Sequence, residues 1–113
     1  MPHLTLRYSD NLECVNFIPF FQKAHKILCN TINVKPSSCS SVATSHQQYL
    51  IEQGDAGKAF IHLDVLVKAG KNTASLTEAS QSLLTELNLY LVAQGVAEAK
   101  ASVHLFESSY FSS

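Results

Sequence analysis

Five histidines and three cysteines are the side chains of this 113-residue chain best suited to acid–base, thiol or metal chemistry. Their spacing argues against a metal centre. Cys14, Cys29 and Cys39 contain no C-x-x-C pair, and the histidines fall in no ligand spacing. The odd number of cysteines argues against a disulfide framework, so reduced thiols in a reducing compartment fit best. Cys39 sits in Ser37-Ser38-Cys39-Ser40-Ser41 with no adjacent cation to lower its pKa, which favours an inert thiol over a reactive one. His62 and His104 fall on one face of their strands, where they can act as ligands, as acid–base groups or as satisfied polar residues. Asp64 shares that face and is expected to pair with Lys68, a structural role. Seven of the eight cations are lysines and Arg7 is the only arginine. Arginine grips a carboxylate with two parallel hydrogen bonds, so a protein built for a dicarboxylate is expected to carry more of them.

The elements that must hold these residues follow from periodicity. His3 to Tyr8 alternates, with Leu4, Leu6 and Tyr8 on one face, and reads as a half-buried strand that Ser9-Asp10-Asn11 ends. A helix follows from about Phe17 to Asn30, capped by Asn16, with Pro19 in its first turn and Phe20, Phe21, Ala24, Ile27 and Leu28 at helical spacing. After a connection at 34–38, a polar strand runs from Ser40 to about Tyr49. Residues 53–57 form a turn. From Ala59 to Ala69, Ile61, Leu63, Val65 and Val67 mark one strand face, and Phe60, His62, Asp64 and Leu66 the other. Ser75-Leu76-Thr77-Glu78 reads as a capping box. It opens a helix to about Ala93 that is lined by Leu76, Ala79, Leu83, Leu84, Leu87 and Leu91 and ended by Gly95. Ala101 to Phe106 is a last strand, and 108–113 a loosely ordered tail.

The order strand–helix–strand thus occurs twice, offset by a little under sixty residues. Two β-α-β units predict an α/β (α+β) domain over 1–113. It has one four-stranded sheet, parallel flanking pairs and two helices on one face. Phe60, Leu66 and Phe106 on the other face call for a partner, and a small symmetric oligomer supplies one. A net charge of -1 excludes the basic footprint of nucleic-acid binders. No apolar run reaches the about 18 residues needed to span a bilayer, and the start lacks a signal-peptide pattern, so a soluble cytoplasmic protein is expected.

Met1-Pro2-His3, Ser9-Asp10-Asn11 and Ala59-Phe60-Ile61-His62-Leu63, running on to Ala69-Gly70-Lys71-Asn72, resemble the 5-carboxymethyl-2-hydroxymuconate isomerase family of the tautomerase superfamily. The similarity spans nearly the whole chain. It implies a homotrimer with inward-facing sheets, a small carboxylate substrate from aromatic catabolism, no cofactor or metal, and an amino-terminal proline as catalytic base. Here that base is Pro2, once Met1 is removed. A chain-terminal amine titrates near ~7.7–8.0, and burial or a nearby cation lowers that value. The neutral amine can then shuttle a proton between carbon and oxygen of an enol. With Met1 in place the nitrogen is an amide, and Pro2 is only a strand-leading proline.

The resemblance also assigns Lys71, His3, Cys39 and Ser41 to substrate binding. Lys71 stands where the family has arginine, keeping the charge without the fork. Ser38-Cys39-Ser40-Ser41 stands where the family has arginines, with no charge. Two readings result: an isomerase that moves a proton in a 2-hydroxy-dienoate or 2-oxo acid, or a non-catalytic trimer with a binding or scaffold role.

Overall fold

The structure, a computed structural model, describes residues 2–12, 15–48, 59–96 and 99–108. In chain order the elements are β1 (His3–Ser9), α1 (Ile18–Ile32), a single 3-10 turn (Pro36–Ser38), β2 (Ser40–His46), β3 (Phe60–Lys68), α2 (Thr73–Ala93) and β4 (Lys100–Ser108). The strands lie in the order β2-β1-β3-β4. β1 pairs parallel with β2 and β3 parallel with β4, as two β-α-β units require, and the units join through an antiparallel β1–β3 seam. β2 ends at His46, short of the expected Tyr49, which lies outside the described residues together with Met1, Cys14, the turn at 53–57 and residues 109–113. Ser108, expected in the tail, ends β4.

One face of the sheet holds the core. Leu4, Leu6, Ile61, Leu63, Val65 and Val67 are buried there against Phe20, Phe21, Ala24, Leu28 and Ile32 of α1 and Ala79, Leu83, Leu87 and Leu91 of α2. These positions alternate along the strands and recur every three or four residues along the helices, which is why the sequence placed them. The helices also pack on each other, with Tyr90 donating its hydroxyl proton to the Asn16 carbonyl.

The helix ends differ from expectation in detail. Asn16 does serve the start of α1, where its Oδ1 accepts from the Ile18 amide at 3.1 Å, although Phe17 occupies the cap position itself. Asn33 closes α1 in the left-handed region at φ 57°. α2 is not opened by a Ser75–Glu78 capping box. Asn72 is the cap, and its Oδ1 accepts from Ala74 and Ser75 amides at 2.7 and 3.4 Å. Thr73 and Ala74 add a half-turn with no apolar residue to announce it, which moves Ser75 inside the helix. Gly95 at φ 78° ends α2 as expected. Its amide bonds to Val92 O at 3.1 Å and that of Val96 to Leu91 O at 2.9 Å, the two bonds of a Schellman closure. Among the described residues no helix is long and apolar enough to cross a membrane.

Candidate active site

Pro2, the amino-proximal ends of β1 and β2, the carboxyl ends of β3 and β4, the last turn of α1 and the cap of α2 all converge on one end of the sheet. The antiparallel β1–β3 seam brings them there. The Pro2 side chain is fully buried, and its carbonyl accepts from the Ser40 amide at 3.1 Å. This bond continues the β1–β2 ladder one residue past the strand, at a position where proline's missing donor costs nothing.

The other sequence-predicted residues spread around that corner. His3 points to the uncovered face, where its Nδ1 is 2.7 Å from Ser40 Oγ. Ser41 lies on the opposite face, with its Oγ 2.6 Å from His25 Nε2. Cys39 is half-buried; its thiol donates to Lys35 O at 3.7 Å and its amide to Pro36 O at 3.1 Å. Lys71 follows Gly70, which holds φ 97° as the chain turns from β3 toward α2. The Gly70 amide donates to Glu107 Oε2 at 2.8 Å, which steadies that turn. Lys71 Nζ donates to Ile32 O at 3.4 Å in a cavity of ≈ 270 Å³ formed with Thr31, Asn33, Asn72 and Ser75. Pro2 does not line it. Within one protomer the structure therefore joins Pro2 with Cys39, Ser40 and Ser41 through β1–β2, and sets Lys71 at the same end in a cavity that Pro2 does not line.

His25 is the residue that sequence reasoning missed. It shares α1 with the core positions and carries no motif; only the passage of α1 behind β2 brings it to Ser41. Burial pushes its pKa below the usual 6.5. Burial likewise pushes the Cys39 thiol up, and Cys29 beside it adds to the shift.

The uncovered face is less apolar than Phe60, Leu66 and Phe106 suggested. Phe106 is 41% and Val42 47% exposed. Across the middle runs a polar array: Arg7 Nη2 donates to Asp64 Oδ2 at 2.8 Å, Asp64 Oδ1 is 2.8 Å from His62 Nε2, and His62 Nδ1 is 2.6 Å from Ser102 Oγ. Asp64 thus pairs with Arg7 and His62, and the expected Asp64–Lys68 pair is corrected. Four residues along a strand span about 13 Å, whereas diagonal neighbours on adjacent strands lie about 7–8 Å apart. A cavity of ≈ 340 Å³ beside this array is lined by His3, Thr5, Arg7, Asp64, Leu66 and Phe106. Among the described residues no three His, Cys, Asp or Glu side chains gather to hold a metal ion.

A mixed four-stranded sheet of two β-α-β units, with both helices on one face and a proline at its leading corner, defines a tautomerase-type fold. The chain belongs to the 5-carboxymethyl-2-hydroxymuconate isomerase family, whose model matches residues 2–105. Its structure is similar to the crystal structure of a 5-carboxymethyl-2-hydroxymuconate isomerase from Deinococcus radiodurans R1, with a TM-score of 0.84 and 24% identity over 96% of this chain and 83% of that one. A 5-carboxymethyl-2-hydroxymuconate delta-isomerase superposes with a TM-score of 0.85 at 15% identity, over 100% and 86% of the two chains. A fused 4-OT protein described as a symmetric trimer gives 0.69 at 18% identity, over 93% and 85%. None of the curated proteins matches the chain in sequence. At these identities the likeness to solved structures concerns the fold; family membership supports an isomerase of the tautomerase type.

Proposed function

We propose that the chain is a cofactor-independent tautomerase that moves a proton between carbon and oxygen of a small enol or 2-oxo acid, with Pro2 as the base after removal of Met1. The observation that carries this reading is the burial of Pro2 at the corner where its carbonyl is fixed by Ser40. A free amine there sits in a poorly solvated place, which disfavours its charged form and leaves a neutral base near pH 7. Lys71 supplies the cation for a substrate carboxylate and the developing enolate. Cys39 and Ser41 bring no cation to this corner, and His3 lies on its uncovered side beside Ser40. Pro2 does not line the Lys71 cavity in one protomer, and a homotrimer, in the manner of the symmetric trimer of the fused 4-OT protein, offers a way to bring one subunit's Pro2 to another's cation. A role in breaking down aromatic acids in the cytoplasm goes with this reading.

The test is a ketonisation assay on protein whose intact mass verifies a free Pro2. Turnover that is lost in a Met-free Pro2→Ala variant supports the proline mechanism. Activity unchanged by Pro2→Ala removes the proline from it. A second reading, a non-catalytic trimer with a binding or scaffold role, has one observation in its favour: Arg7, the only arginine, is engaged by Asp64. It predicts no turnover by the Met-free protein.

A further inference from the structure

β2 carries no charged residue from Ser40 to Ser45, but α1 sets a titratable ring directly behind it. His25 Nε2 lies 2.6 Å from Ser41 Oγ. Ser41 is the register partner of Leu4, and Pro2, two residues before Leu4, falls on the same face by alternation. With strands about 4.8 Å apart and about 3.3 Å of rise per residue, Ser41 stands diagonally from Pro2 at about 8 Å. Ser41 is half-buried, so a ligand at this corner can touch its hydroxyl while the imidazole stays behind it.

We propose that His25 is a specificity-determining residue for a second carboxylate of the substrate: it takes up a proton as that carboxylate binds Ser41, and so supplies from behind the hydroxyl the cation that residues 40–45 lack. The inference rests on reading the Pro2 corner as the substrate site. A neutral ring with a bare Nε2 accepts the Ser41 hydroxyl proton. A protonated ring must donate there, which turns the hydroxyl proton outward for the ligand. An O–H···O⁻ bond of about 2.6 Å then sets the carboxylate about 5 Å from His25 Nε2, within the range of about 4–6 Å where an opposite charge favours the charged imidazole. No other cation competes for this role at the bond itself. One turn along α1 stands Cys29, the Cys39 thiol donates to Lys35 O, and Glu86 of α2 is held by Lys23 at 3.2 Å. Without a ligand, burial keeps His25 neutral near pH 7.

The first experiment follows the His25 ring by NMR during a pH titration, with and without glutarate, a dicarboxylate that the chain has no means to tautomerise. Glutarate should raise the His25 midpoint, and butyrate, with one carboxylate, should raise it less. Ser41→Ala should remove the glutarate effect while the ring signal remains readable. The second compares kcat/KM for 5-carboxymethyl-2-hydroxymuconate with that for a phenylpyruvate-like mono-acid enol, from about pH 8 to about 6. Carboxylic acids stay ionised throughout, and protonation of Pro2 cancels in the ratio. The ratio should rise as pH falls, by at most about tenfold per unit because one proton is taken up, and His25→Gln should flatten it. A midpoint unmoved by glutarate, moved as much by butyrate, or moved equally in Ser41→Ala overturns the inference. A ratio flat in pH with both acids turned over does so too, and leaves the tautomerase reading in place. A raised midpoint with no turnover of either acid by protein with a free Pro2 removes the tautomerase reading instead and supports the carboxylate site.

Discussion

The guanidinium of Arg7 meets the carboxylate of Asp64 at 2.8 Å, across the strand seam and on the face of the sheet that neither helix covers. The pair is part open to water, with side-chain exposures of 45% and 25%, and in the lone protomer such a pair contributes about 0–1 kcal/mol. Closing this face in a trimer changes the sign of the problem, because breaking a buried pair strands a charge at about 3–5 kcal/mol. Asp64→Asn should therefore change the unfolding free energy of dilute protomer little, yet shift a trimer toward monomer. Sedimentation equilibrium at micromolar concentration reads the shift. A wild-type chain that runs as a compact monomer there would refute the trimer altogether.

Cap and core should separate cleanly on α2. Asn72→Ala removes the side chain that satisfies two first-turn amides and should cost about 1 kcal/mol. Ser75→Ala, inside the helix, should cost less than that. Leu83→Ala or Leu87→Ala empties a fully buried site and should cost roughly 2–5 kcal/mol. Urea titrations in which Ser75→Ala and Asn72→Ala rank in the opposite order would return the cap to Ser75.

His25 gives the fold a pH dependence with a definite sign. Its folded pKa lies below 6.5, so the unfolded chain binds the proton more readily. Stability is then complete above the unfolded value and falls as pH drops below it toward the folded one. Urea midpoints should decline from pH 7.5 to 5, and His25→Gln should flatten part of that decline. A midpoint profile for His25→Gln that parallels the wild type would assign the decline to other groups.

Substrate choice should follow the missing forks. Each lost charge-assisted hydrogen bond of about 1.5–3 kcal/mol weakens a dicarboxylate's transition state about ten- to a hundredfold or more. Protein with a free Pro2 should turn over 5-carboxymethyl-2-hydroxymuconate feebly and a phenylpyruvate-like mono-acid enol relatively better. Lys71→Ala should lower both rates, and Lys71→Arg should raise kcat/KM for the dicarboxylate. Vigorous wild-type turnover of the dicarboxylate would show that neutral Cys39 and Ser41 are no handicap.

Much of the architecture was legible because its signals are local. The alternation in β1 and β3 and the leucines of α2 each read out a buried face within one element. β2 was faint because it is a polar edge strand, defined by its pairing with β1 rather than by its own pattern. The corner at Pro2 was legible through resemblance, since a proline beside a strand has no periodicity. The partners of Asp64 and the His25–Ser41 contact were not legible. Each joins residues from different elements, and a linear pattern carries no cross-strand or helix-to-strand distance.

The antiparallel seam relates the two β-α-β units, and their corners share the same backbone hydrogen bond. Pro2 O accepts from Ser40 N at 3.1 Å, and Ala59 O accepts from Lys100 N at 2.9 Å. Each acceptor precedes the first strand of its unit, and each donor opens that strand's parallel mate. The likeness ends at the nitrogen. Ala59 sits within an unbroken chain, so its nitrogen is committed to a peptide bond. On the proposed mechanism, removal of Met1 frees the nitrogen of Pro2. Under that proposal an architecture with duplicate corners admits amine chemistry at only one of them, and it is covalent connectivity, not folding, that decides which.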